Sequence, residues 1–140
     1  MTAKPIEKPE EIESVSPSYS EILRQSIQAK SLGMEYIAGC GYRKALEHLI
    51  KDYLILKQPD SRDDIENKSL GNCIEYYVDD IKIKKCAKRA AWLGNDAVHY
   101  KRKWHNKDID DLVVLLRLTE AWVESNMLTE KYEESMNTRR

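Results

Sequence analysis

Between Gly94 and Lys103 the chain reads GNDAVHYKRK, a crowding of the residue types that move protons and hold phosphates. On a helix, Asn95 and His99 are four residues apart and share a face one turn from each other. Arg102 and Lys103 fall one turn further on if the helix persists. An amide, an imidazole and a cation in a row can bind a phosphate and move a proton, and histidine titrates nearest neutrality. A packing account fits the same letters: Gly94 lets helices approach, Asn95 and His99 hydrogen-bond to backbone or a neighbouring helix, and Ala90, Ala91 and Ala97 pack. The candidate catalytic pair is therefore His99 and Asn95. The candidate phosphate-binding cations are Arg102, Lys103, Lys101, Arg89 and Lys85.

Other constellations are weaker. Cys40, Cys73, Cys86 and His99 lack metal-ligand spacing, and thiols on helix faces are usually core. No metal or cofactor is expected. Nothing local supports a Cys–His nucleophile. The glycine pairs in GCG and GNC are not followed by the Lys-Ser/Thr of a phosphate loop. Trp92, Trp104 and Trp122 have the chemistry to stack on bases; with no phenylalanine in the chain, they are expected to serve as core fillers.

These residues sit in a sharply polarised charge pattern. Asp80 to Lys107 carries nine Lys/Arg against two acids, and Asp108 to Glu134 carries eight acids against two bases. The two segments either neutralise one another, within one molecule or across a dimer, or leave a basic surface for phosphates.

The elements that must position them read as helices. Ser18 and Glu21 fit a capping box, Ile22, Leu23 and Ile27 supply a strip after it, and Gly33 is a stop. From Met34 to Leu56, polar pairs recur every four residues around a buried face, so this is the clearest helix. Its run Ala38-Gly39-Cys40-Gly41 costs helix propensity and makes sense where another backbone comes close. Leu70, Cys73, Ile74, Tyr77 and Val78 mark a third helix. Ile83, Cys86, Ala87, Ala90, Leu93 and Ala97 mark a fourth, running to about Tyr100. A fifth starts at an acidic Asp108-Ile109-Asp110-Asp111 end suited to a helix N-terminus, with an optional tail helix around Glu130.

A chain of 140 residues suits one domain that buries about two-thirds of its unfolded surface. No strand alternation and no internal repeat is present, so the expected fold is all-α, a compact antiparallel bundle of about five helices. Residues 1–17 and 135–140 are expected as mobile tails around a domain at 18–134. No apolar run is long enough to span a membrane and the start lacks a secretory stretch, so a cytoplasmic location is expected.

The segments GCGYRKALEHLIKDYLI and KKCAKRAAWLGNDAVHY, followed by an acidic-start amphipathic helix, resemble the bacterial family called domain of unknown function 4145. The resemblance covers roughly residues 20 to 132. It rests on an Arg-x-x-Leu-Glu element (Arg43, Leu46, Glu47) and a Gly-Asn-x-x-x-His element (Gly94, Asn95, His99). It implies a relation to the helical HEPN group, whose active members are metal-independent endoribonucleases working as homodimers. There a histidine, helped by an earlier arginine with four to six residues between the two, drives attack of an RNA 2′-hydroxyl on the adjacent phosphate. Here those positions hold Trp92, Leu93 and Gly94, and Ala91 stands where the 4145 pattern has its arginine. Arg89 is ten residues from His99, about 15 Å along a continuous helix. The aromatic often found two residues beyond that histidine is displaced: Tyr100 follows His99 directly, and Lys101 takes the expected place.

The expectation is a homodimeric binding module contacting nucleic acid or a protein partner through residues 82–107, in a bacterial or phage defence or stress setting. Self-association is expected from the Gly39–Gly41 notch and the adjoining basic and acidic segments. An endoribonuclease using His99, with Arg102 or Lys103 replacing the missing arginine, is the first alternative. A purely structural or regulatory dimerisation domain is the second.

Overall fold

The computed structural model describes residues 10–137, and every described element is helical or irregular. Seven α-helices follow in order: α1 (Glu10–Val15), α2 (Pro17–Ser31), α3 (Glu35–Lys57), α4 (Arg62–Asn67), α5 (Leu70–Tyr77), α6 (Ile81–Val98) and α7 (Ile109–Ser135). A single 3₁₀ turn, Pro59–Ser61, links α3 to α4. The five helices expected from periodicity are α2, α3, α5, α6 and α7. The two that escaped it are six residues long, too short to show a period.

Helix boundaries follow local chemistry. Pro17 keeps Ser16 out of the helical region, and the Ser16 hydroxyl accepts the amide of Tyr19 at 3.2 Å. This corrects the expected Ser18–Glu21 capping box: the Ser18 hydroxyl meets His48 Nδ1 at 2.7 Å instead. Gly33, at φ +77°, ends α2 as expected, with Met34 N–H reaching back to the carbonyl of Ala29. Ser69 and Asp80 cap α5 and α6. Asp108 and Asp111 form a reciprocal capping box on α7.

Helix α3 is the hub. Its Tyr42, Ala45, Leu46, Leu49, Ile50 and Leu54 are buried among α2, α5, α6 and α7. The tight turn after α2 makes α2 and α3 an antiparallel hairpin. The glycine run in α3 serves that packing. A Cβ on Gly41 would lie 2.1 Å from Ser26 Oγ of α2, and one on Gly39 would lie 3.0 Å from Ala97 Cβ of α6. The notch is thus filled within the chain, and it offers no opening for the self-association read from it.

Three further expectations are corrected. Order starts before residue 18, because Ile12 of α1 is 1% exposed and α1 packs on α2, α3 and α7. Residues 1–9 and 138–140 lie outside those described. The separate helix near Glu130 is the unbroken end of α7. Ile27 faces outward, and the buried positions of α2 are Tyr19, Ser20, Ser26 and Ala29. Among the described residues no helix is long and apolar enough to cross a membrane.

Candidate functional site

The α3–α6 crossing builds the site. Gly94 of α6 lies directly on Arg43 of α3: a Cβ there would be 3.0 Å from Arg43 Cγ and 3.1 Å from its Cβ. The missing side chain lets the arginine run along α6, where its Nε donates to Asn95 Oδ1 at 3.1 Å. The other end of the guanidinium donates to Glu47 at 3.2 Å, and Glu47 takes Lys51 at 3.0 Å. Burial works to raise the Glu47 carboxyl, but Lys51 and Arg43 outweigh it and hold the group below the usual carboxylate range. Lys51 also ties down the carbonyls of Glu66 and Lys68. The Arg-x-x-Leu-Glu element is therefore a charge ladder, with its Leu46 in the core.

His99 does not continue α6. It is the C-cap, with extended backbone angles, and its amide bonds to the carbonyl of Asn95. Its ring is exposed and has no hydrogen-bond partner among the described residues, which removes the packing role considered for it. Because the helix stops there, the single strip expected for Asn95, His99, Arg102 and Lys103 does not form. The chain instead crosses over residues 99–108 to α7.

That crossing is organised by Asp96, 6% exposed. Its Oδ1 accepts the amide of Lys103 at 2.5 Å and its Oδ2 that of Trp104 at 2.9 Å, with Arg102 Nε at 3.6 Å. Burial pushes the carboxyl up, and the two amides and Arg102 pull it further the other way, to below its ordinary value. Arg102 also donates to the carbonyls of Trp104 and Lys107. It braces the segment and is committed there, whereas Lys101 and Lys103 project with no ion-pair partner among the described residues.

Asp96 thereby delivers Trp104 onto Trp92. The rings stack at 6.0 Å between centroids with planes 6° apart, and the Arg89 guanidinium lies 5.3 Å over Trp92. Both indoles are more than a third exposed, which corrects their expected role as core fillers. Only Trp122, half-buried edge-on against Tyr53, matches that expectation. Trp92, Asn95, Asp96, His99, Lys101, Lys103 and Trp104 line one cleft of about 630 Å³. Lys85 and Arg89 extend the same face up α6. A second cleft of about 630 Å³, with Arg43 in its wall, lies among α3, α4 and the end of α6 at Val98.

The charge polarity is not cancelled by contact. Among the described residues no ion pair joins residues 80–107 to 108–134; Lys88 pairs with Glu75, Lys30 with Asp110 and Lys57 with Glu130. Sequence reasoning missed the Arg43–Asn95 bond, the tryptophan pair and the Asp96 latch. The motif glycine, Gly94, was the one local signal of a close crossing; the partners lie too far apart in the chain for spacing to join them.

A family model described as Domain of unknown function (DUF4145) matches residues 24–137. No curated protein matches the chain, and no solved structure does.

Proposed function

The chain belongs to the DUF4145 family, and on that premise we propose that it is a helical module binding single-stranded nucleic acid through α6 and residues 99–108. The observation that carries this reading is the exposed Arg89–Trp92–Trp104 stack beside Lys101 and Lys103, which have no acidic partner among the described residues. Aromatic faces accept any base, and the cations follow the backbone. Lys85, Arg89, Lys101 and Lys103 are the phosphate contacts, with the cleft at His99 receiving a nucleotide. The HEPN relation implied by the motifs, and a role in defence or stress responses, belong to the same reading.

Binding of a fluorescent oligonucleotide, measured against salt, tests it. Four phosphate contacts predict a log–log slope of about −3 for a single strand. Trp104→Ala should weaken binding by about 1–3 kcal/mol. Lys101→Ala should flatten the slope by about one contact. An absence of binding at low salt rejects nucleic acid and leaves a protein partner for this face.

Arg43 favours a second reading, metal-independent RNA cleavage. Residues 91–94 lack the arginine of an active HEPN site, but Arg43 brings a guanidinium to Asn95, one turn before His99. In this reading His99 takes the proton of a 2′-hydroxyl and the 2′-oxygen attacks the adjacent phosphorus; the P–O5′ bond breaks, and the 5′-oxygen leaves with its electron pair and takes a proton from water. Arg43 then stabilises the charge gathering on phosphate. RNA incubated with protein in EDTA should yield 2′,3′-cyclic phosphate ends. His99→Ala should abolish the products, and Arg43→Ala should slow them by roughly 10²-fold or more. Equal cleavage by wild type and His99→Ala, or none by either, rejects catalysis and leaves binding.

A further inference from the structure

Helix α7 is apolar on two opposite faces, and only one is used. The inner face (Leu112, Leu116, Thr119, Val123) is buried against the bundle. The outer one runs Val114, Leu118, Ala121, Ser125, Leu128, Tyr132, spaced alternately four and three residues apart. Val114 is 57% exposed, Leu118 47% and Tyr132 60%. An alternating three–four spacing is the seam that one helix offers to another, because it keeps apolar residues aligned along a partner's axis. From Val114 to Tyr132 it extends about 27 Å at 1.5 Å per residue. A single inward face would have satisfied the fold.

The charges beside the seam say which helix fits. Arg117 and Glu124 flank one edge, seven residues apart, and neither has an ion-pair partner among the described residues. The next residue on that edge, Lys131, is already paired with Glu11. A two-fold axis crossing α7 near Glu120 would set Arg117 of each copy against Glu124 of the other. The same axis pairs Leu118 with Ala121 and Val114 with Ser125, so small side chains at the centre meet larger ones and the backbones close up. A parallel pairing offers Arg117 no acid.

We propose that the outer face of α7 is a self-association surface, on which a second copy of this chain packs its own α7 in antiparallel register. The surface shares no residue with the cleft at His99, so it stands or falls apart from the nucleic-acid reading. Sedimentation equilibrium of the full chain at micromolar concentrations should give a dimer. Leu118→Glu should give a monomer with unchanged helical circular dichroism, since Leu118 is exposed. Arg117→Glu and Glu124→Arg should each weaken the dimer by about tenfold or more through like charges face to face, and the double reversal should restore it. A wild-type monomer overturns the proposal, as does a dimer that survives Leu118→Glu. A double reversal no tighter than the singles overturns the antiparallel register.

Discussion

Asp96 shows how much one buried carboxylate can organise. It is the only acid in α6, and its two oxygens hold the amides of Lys103 and Trp104, so the path of the crossing segment and the tryptophan stack both hang from it. Because its folded pKa is depressed, the latch is at full strength above the unfolded value near 4 and is lost as pH falls through the folded one. Asp96→Ala at neutral pH should therefore resemble the acid state of the wild type. The expected signature is loss of the coupled Trp92–Trp104 signal in near-ultraviolet circular dichroism, with most far-ultraviolet helix signal kept. The segment is exposed and should open locally. An unchanged stack in Asp96→Ala would mean that ring contact alone holds it. Arg43 likewise reaches beyond its own helix: one side chain of α3 holds both Asn95 of α6 and Glu47.

At the scale of elements, glycines set the distances. Gly41 against Ser26 and Gly94 against Arg43 let α2 and α6 sit closer to α3 than side chains would allow. Gly41→Ala gains helix propensity, about 1 kcal/mol, yet the new methyl would strike both Ser26 Oγ and Cβ. Overpacking of this kind costs typically 1–3 kcal/mol, so a net loss in urea unfolding is expected. Ser26→Gly in the same chain should recover most of it, because the two positions share one space. Independent, additive losses would show that the α2–α3 contact is looser than the crossing implies. The end of α6 at Val98 matters equally: a longer helix would have carried Lys103 away from Trp92.

For the whole molecule, the arrangement separates two surfaces. The basic and aromatic face belongs to α6 and residues 99–108, the apolar seam to α7. Since among the described residues no direct ion pair links the basic and acidic segments, the charge asymmetry survives folding as an external field, which under the proposed nucleic-acid reading would steer an anionic polymer. The Leu118→Glu variant thus serves both ideas: it should lose the dimer and keep the salt slope of oligonucleotide binding.

Local rules were enough for the all-helical class, the five longer helices, the Gly33 stop, the acidic cap of α7 and the buried stripe of α3. Periodicity, caps and breakers act over a few residues, and a reader of the chain meets them in order. The same reading marked Asn95, His99 and the close contact at Gly94. Tertiary structure alone decided that Arg43 meets Asn95 across 52 positions, and that Trp92 and Trp104 stack in the open. It also decided that Gly39 and Gly41 are filled from within, and that an apolar stripe of α7 is left uncovered. Each of these depends on where a helix stops and which face meets which neighbour. Those are set by packing summed over the whole core, and no window along the chain contains them.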